Sequence, residues 1–204
     1  MTAVYRPRLI GLLGYAGTGK DSVAIALRRF GYQRVSLADP LREIAKKVGW
    51  DGNKDEAGRK LLQNLGVACR EHLNSPFIIQ ARFEIAGWLV RGHRVVVTDV
   101  RFHDEADLIR EHGGVLWKVR RPGIQPALGH ISDTTCDRIV MFSDIDSEID
   151  NDGDLYALEE KIDKIMLAIP RCRNCKDDIG LVKTCSRCNG NGCEPHYYRV
   201  KCSE

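Results

Sequence analysis

The sequence of 204 residues has no apolar run approaching the roughly 18 residues that a membrane-spanning helix requires. Met1 to Arg8 also lack the apolar segment at the heart of a secretory signal. A membrane partner is therefore not expected, and a cytoplasmic location is. Net charge is nearly absent as well: the formal value is +3, and once residues 171–204 with their seven Lys/Arg and four Asp/Glu are set aside, the body holds 24 of each sign. No bulk basicity marks that body for a polyanion. Cysteine is just as scarce there, with Cys69 and Cys136 standing alone, whereas Cys172, Cys175, Cys185, Cys188, Cys193 and Cys202 crowd the last stretch. There is no internal repeat.

What is present is an ordinary globular composition, 43% hydrophobic and 29% charged, which argues against extensive disorder. The length suits one α/β domain, residues 1–170, with a small appendage, residues 171–204. Short apolar runs bounded by turn residues alternate with longer amphipathic segments, the pattern of a parallel sheet covered by helices on both faces. Strands are expected at Leu9–Leu13, Arg34–Leu37, Arg94–Thr98, Val115–Val119 and Arg138–Phe142. Helices are expected at Lys20–Phe30, Asp39–Val48, Asp55–His72, Pro76–Arg91, Asp104–His112 and Gly153–Ile169. Gly31, Gly49 and Gly113-Gly114 supply helix stops, and Pro170 ends the last helix.

The strongest chemical signal is Gly14-Tyr15-Ala16-Gly17-Thr18-Gly19-Lys20, a G-x-x-x-x-G-K phosphate-binding loop set between an apolar strand and a helix. Its glycines let successive N–H groups turn inward on an anion, the helix N-terminus adds partial positive charge, and Lys20 is placed to reach the β- and γ-phosphates of ATP. A Ser or Thr usually follows that lysine to ligate Mg²⁺. Here Asp21 follows, then Ser22, so Asp21 either holds the metal through water or favours the first helical turn by opposing its dipole. Arg94 to Asp99 has the form of a Walker B strand, an apolar strand with a carboxylate at its C-terminal end. Asp99 is read as a magnesium-water ligand or acceptor-orienting group, or else as a cap on the next turn.

Phosphoryl transfer to a phosphate acceptor needs arginines converging from outside the loop. Candidates are Arg42, Arg59, Arg70, Arg82, Arg101, Arg120 and Arg121, and composition alone does not choose among them. The ordered set Gly14 to Asp21, Ala38-Asp39-Pro40-Leu41-Arg42, Arg59 with Leu62-Gln63-Asn64-Leu65-Gly66 and Arg70, Asp99-Val100-Arg101-Phe102-His103-Asp104-Glu105, Val119 to Pro122, His130 to Asp133 and Ile149 to Gly153 resembles the bacteriophage deoxynucleoside monophosphate kinases over about residues 8–168. The Lys-Asp pair is itself a feature of those enzymes, whereas Ser132-Asp133 departs from their usual Ser-Glu.

The resemblance implies a P-loop NTPase fold of the adenylate-kinase type, with a five-stranded parallel sheet in the order 2-3-1-4-5. A helical monophosphate-binding region is implied between strands 2 and 3, about residues 38–92. It implies transfer of the γ-phosphoryl of ATP, with Mg²⁺, to a deoxynucleoside monophosphate in the supply of nucleotides for phage DNA synthesis. Gly14, Ala16, Gly17, Thr18, Gly19, Lys20, Asp21 and Ser22 then hold the donor. Asp39, Arg42, Gln63, Arg70, Arg82, Arg101 and Glu105 bind the acceptor, with Arg70 and Arg82 as preferred phosphate clamps. Lys20, Asp99, Arg120 and Arg121 serve catalysis, the last two from a lid. A homodimer is compatible with this reading and a nucleic-acid partner is not expected. The runners-up are another adenylate-kinase-like small-molecule kinase, such as one acting on dephospho-coenzyme A, and a nucleotide-switched nucleic-acid-binding regulator.

In the appendage, Cys172-x2-Cys175 and Cys185-x2-Cys188 can close a tetrahedral thiolate shell around Zn²⁺, and the Asn-Gly-Asn-Gly that follows resembles the zinc knuckle of J-domain chaperones. Disulfides are the alternative, disfavoured in a cytoplasmic setting. Cys193, His196 and Cys202 are substitute ligands or spare residues, and metal would supply much of the tail's folding energy.

Overall fold

The computed structural model describes residues 6–53, 55–73, 76–125 and 145–168. Eleven elements occur there in the order β1 (Leu9–Leu13), α1 (Lys20–Arg28), β2 (Tyr32–Val35), α2 (Asp39–Lys47), α3 (Glu56–His72), α4 (Pro76–Val90), β3 (Arg94–Val97), α5 (His103–Glu111), β4 (Val115–Arg120), β5 (Ser147–Asp150) and α6 (Leu155–Ala168). The strands form one sheet in the order β2-β3-β1-β4-β5, and every pairing is parallel. This is the expected α/β architecture of a P-loop kinase. The expected strand Arg138–Phe142, the Ser132-Asp133 motif and the cysteine-rich tail lie outside the described residues.

Alternation along the strands sorts the core into two layers. Leu9, Leu13, Val95 and Val97 face Ala81 and Ile85 of α4 and Ala106, Leu108 and Ile109 of α5. Ile10, Leu12, Val96, Trp117 and Ile149 face Val23, Ala24 and Leu27 of α1 and Leu158, Ile162 and Met166 of α6. Gly11 lies between Leu9 and Leu13 on the α5 side. A Cβ there would stand 2.9 Å from Ile109 Cγ1 and 3.0 Å from Leu116 Cδ2, so the missing side chain is what lets α5 settle onto β1.

Two strands differ from expectation. β2 runs from Tyr32 to Val35, two residues earlier than expected. Tyr32 is 1% exposed and its hydroxyl donates to the Pro7 carbonyl, which anchors the start. At the other end, the Leu37 amide is taken by a carboxylate rather than by a neighbouring strand. The fifth strand of the described sheet is Ser147–Asp150, in a segment whose one apolar residue, Ile149, gave no strand pattern.

α3 sits apart from this core. Of its 17 residues only Gly58 and Cys69 are buried. Asp55 caps it by accepting from the Gly58 amide at 2.8 Å, and α2 packs along it where Leu41 Cδ2 comes within 3.5 Å of the Cβ position of Gly66. Among the described residues no helix is long and apolar enough to cross a membrane.

Candidate active site

The C-terminal ends of the parallel strands gather at one edge of the sheet, the edge where ligands of open α/β sheets collect. At its centre, β1 feeds the glycine-rich loop. Gly14 has φ 145° and Gly19 has φ 94°, values that L side chains rarely adopt. Space excludes side chains there too: a Cβ on Gly14 would stand 2.3 Å from the Val119 carbonyl, and one on Gly19 would stand 2.1 Å from Asn151 Nδ2. No side chain caps the start of α1, so its first-turn N–H groups remain available to an anion.

The loop is braced from within and from across the sheet. Thr18, 1% exposed, donates through its hydroxyl to the Tyr15 carbonyl at 3.0 Å. Lys20 Nζ donates to the carbonyls of Gly14 and Tyr15, both at 2.7 Å, which folds the lysine back over the loop. Asn151, in the turn after β5, donates through Nδ2 to the Thr18 carbonyl at 3.0 Å, while its backbone amide bonds the Arg120 carbonyl at 2.8 Å. That last bond ties the end of β5 to the end of β4 beneath the loop.

A cleft of about 290 Å³ opens beside it, lined by Gly14, Tyr15, Thr18, Arg120, Arg121 and Ile124 among others. Arg120 pairs with Asp150 at 3.0 Å and Glu148 at 3.2 Å, and Arg121 is exposed at the cleft's rim.

On the opposite flank, β2, α2, β3 and the start of α5 hold most of the expected acceptor residues. Asp99, 8% exposed, accepts from the Ser36 hydroxyl at 2.8 Å, the Leu37 amide at 2.8 Å and the Ala38 amide at 3.0 Å. Its carboxylate therefore fastens the β2–α2 turn. Asp39 at the start of α2 pairs with Arg34 at 3.0 Å and with Arg42. Burial works to raise the pKa of Asp39, but the two guanidinium groups outweigh it and hold the carboxyl below its usual range. Arg42 also donates to Ser36 Oγ at 3.1 Å.

Arg70 reaches from α3 to the first turn of α5. It pairs with Asp104 at 2.7 Å and with Glu105, and its guanidinium lies 3.7 Å from the centre of the Phe102 ring. Glu105 is 5% exposed and accepts from the backbone amides of Arg101 at 2.6 Å and Phe102 at 3.1 Å. Burial pushes its carboxyl up to about 8, against the pull of Arg70 and of the Arg101 amide.

Arg42, Arg70, Asp39, Asp99 and Glu105 thus share the flank beside Lys20, and Arg101 joins them as the residue two beyond Asp99. Gln63 is half-buried on α3. Arg82 does not join them: it pairs at 2.6 Å with Glu111, the last residue of α5, at the opposite end of that helix from Glu105. Two residues that sequence reasoning passed over belong to the site, Arg34 and Asn151. A basic residue inside a short strand and an asparagine in the Ile149–Gly153 motif were their only signals. Among the described residues no group of three or more His, Cys, Asp and Glu could hold a metal.

The oxygen-rich residues at the loop do fit the hard cation that accompanies ATP. Asp21 leaves 74% of its side chain exposed at the first turn of α1 and Ser22 follows it, both oxygen donors of the kind Mg²⁺ takes, directly or through water.

No family model matches the chain. It is 33% identical over 145 residues to a provisionally named deoxynucleotide monophosphate kinase of Acanthamoeba polyphaga mimivirus, an alignment that covers 57% of this chain and 75% of that protein. Similar solved structures include shikimate kinase of Aquifex aeolicus vf5, at 15% identity and TM-score 0.43 over 76% of this chain and 92% of that one. Another is dephospho-CoA kinase of Campylobacter jejuni, at 11% identity and TM-score 0.45 over 78% and 95%. Similarity of that order has no bearing on substrate. The viral relative does more, because it joins a loop built for nucleotide phosphates to a third of shared residues across most of its own length: the chain belongs to the nucleotide kinase family of that relative.

Proposed function

We propose that the protein transfers the γ-phosphoryl group of ATP to a deoxynucleoside 5′-monophosphate, releasing ADP and the deoxynucleoside diphosphate. The observation that carries this reading is the placement of Arg42 and Arg70, each held by carboxylates, on the flank of the sheet edge beside Lys20. An acceptor that is already a phosphate needs cations outside the donor loop, and an acceptor phosphate oxygen is a competent nucleophile without a general base. The name of the viral relative supports the same substrate class, and the setting that goes with this reading is nucleotide supply for phage DNA synthesis.

In this mechanism the loop amides and Lys20 hold the donor's β- and γ-phosphates. Arg42, Arg70 and Arg101 hold the acceptor phosphate in line, Gln63 contacts the base, and Asp39 contacts the sugar or base. Arg120 and Arg121 bring positive charge over the transferring group from the cleft side. Asp99 acts on the acceptor through the turn it fastens. Asp21 and Ser22 would hold Mg²⁺, which supplies charge neutralisation at the β- and γ-oxygens when it arrives with ATP.

The experiment is ADP release from MgATP with a panel of the four deoxynucleoside monophosphates, the matching ribonucleotides and dephospho-coenzyme A. Turnover that depends on a deoxynucleoside monophosphate is expected. Turnover with dephospho-coenzyme A alone would move the acceptor to the runner-up, and salt-sensitive DNA binding without acceptor-dependent turnover would replace the kinase reading.

For the tail, the two Cys-x2-Cys pairs support a structural zinc site at Cys172, Cys175, Cys185 and Cys188. The reading rests on their spacing.

A further inference from the structure

An arginine absent from every motif lies between the two halves of the site. Arg34 projects from β2 with 30% of its side chain exposed, Nη1 3.0 Å from Asp39 Oδ2 and Nε 3.7 Å from Asp21 Oδ1. Asp21 follows the phosphate-loop lysine, and Asp39 opens the acceptor-side helix α2. The other oxygen of Asp39 is taken by Arg42. Arg42 in turn contacts Ser36 Oγ at 3.1 Å, and Ser36 donates to Asp99 at 2.8 Å. One chain of ion pairs and hydrogen bonds therefore runs from the donor helix through Ser36 to Asp99, just beyond β3.

We propose that Arg34 is a positioning residue that couples the donor and acceptor sites, so that nucleotide bound at the phosphate loop tightens the acceptor monophosphate. The inference rests on the acceptor assignment made above. The geometry gives it a direction. At 3.0 Å the Asp39 contact is a charge-assisted hydrogen bond, whereas 3.7 Å to Asp21 lies beyond hydrogen-bond range. Asp21 therefore draws on Arg34 without holding it.

When MgATP or MgADP occupies the loop, the Asp21 carboxylate has a second cation to face, and Arg34 is left to Asp39. Asp39 then needs Arg42 less, and Arg42 is released to the acceptor phosphate. The Nε of Arg42 is buried with no hydrogen-bond partner among the described residues, so the array does not use every donor of this guanidinium. Glu84 on α4 and Glu43 on α2 are further acids beside this array. Burial raises the pKa of Glu84, a hydrogen bond with Trp88 lowers it, and the Asp39 charge raises it. A further negative group beside Asp39 thus makes a partner that neutralises Asp39 more necessary.

Stability does not account for the arrangement. An ion pair to a carboxylate as exposed as Asp21 adds little to folding stability. Binding linkage makes the proposal sharp, because the factor by which donor tightens acceptor must equal the factor by which acceptor tightens donor.

The test is calorimetric titration of the full chain with a deoxynucleoside monophosphate that supports turnover, with and without saturating MgADP, and the reverse titration. The wild-type protein is expected to bind each ligand about fivefold or more tightly in the presence of the other. Arg34→Ala and Asp21→Asn bring that ratio to about one, while Arg34→Lys, which keeps the charge but loses the planar fork, falls between.

Thermal melts of each variant confirm that the protein titrated is folded, and Arg34→Gln replaces Arg34→Ala should the latter not fold. A wild-type ratio of one, or an undiminished ratio in a folded Arg34 variant, overturns the coupling role and leaves the kinase assignment standing. Failure of every deoxynucleoside monophosphate to support wild-type turnover overturns the assignment and the coupling together.

Discussion

At the residue scale, the site uses a few side chains whose work is set by what surrounds them. Lys20 is 9% exposed and bonds two loop carbonyls. On the proposed function, removing its charge takes away the group that would meet the β- and γ-phosphates, while the sheet is left in place. Lys20→Met is therefore expected to lower turnover by about 100-fold or more, as for loss of an electrostatic stabiliser in a water-poor site, with an unchanged circular dichroism spectrum; near-wild-type ADP release would sink this role.

Asp99 is expected to behave differently. Asp99→Ala strands two amides and a hydroxyl that the carboxylate now satisfies, and an unsatisfied buried donor costs about 1–3 kcal/mol. Urea unfolding should show a loss of at least that order together with the loss of activity. A fully active variant of unchanged stability would remove Asp99 from both accounts.

At the scale of elements, α3 is the segment held by least. Arg70 ties it to the body beyond α2 through Asp104, Glu105 and Phe102. Arg70→Ala is expected to speed backbone hydrogen exchange along Glu56–His72 by about tenfold, the change that loss of roughly 1.4 kcal/mol of local stability produces, while β1 and β3 keep their protection. Equal protection of α3 in the variant and the wild type would show that the helix does not depend on this contact.

The same contact carries a pH dependence. The pKa of Glu105 is raised by burial to about 8 in the folded chain, above its unfolded value. The folded state then holds a proton that the unfolded state has released, so this group's contribution is full below the ordinary Glu pKa and is lost as pH rises toward 8. Glu105→Gln should flatten that fall between about pH 5 and 8 in thermal melts; a wild-type slope in the variant would place its origin in another group.

Legibility in the sequence followed the range of the contacts. β1 and its loop were readable because the glycines and the lysine act within seven residues. Most helices were readable because a glycine or proline stands just beyond their last residues, as Gly31, Gly49, Gly92 and Gly113 do; α3 was readable from its length and charge pattern. β5 was not, because an edge strand with Ile149 as its one buried residue has no alternation to detect. Arg34 and Asn151 were not, because their roles are set by partners that only folding brings near: Asn151 meets Thr18 across 133 positions. Arg82 resembled a clamp by its place on α4, and the turn of that helix carries it to Glu111 instead.

At the scale of the whole molecule, both layers of the described core are built from residues between Leu9 and Met166. Removing residues 171–204 is therefore expected to leave a folded chain with acceptor-dependent turnover within about threefold of the full protein, as for loss of a separate unit. Insoluble truncated protein would show that the tail belongs to the core. The full chain is expected to carry about one zinc per molecule by elemental analysis, falling to none in Cys172→Ser/Cys185→Ser; metal-free full-length protein would dismiss the zinc site.

The contact between Gly14 and the Val119 carbonyl has a consequence for how such a chain can change over generations. With 2.3 Å between that backbone oxygen and any Cβ at position 14, the glycine is fixed whatever side chain β4 carries at position 119. α3, with two buried residues, carries little such restriction. On the proposed reading, the helix that carries Gln63 and Arg70 is therefore freer to vary than the loop that would hold the donor.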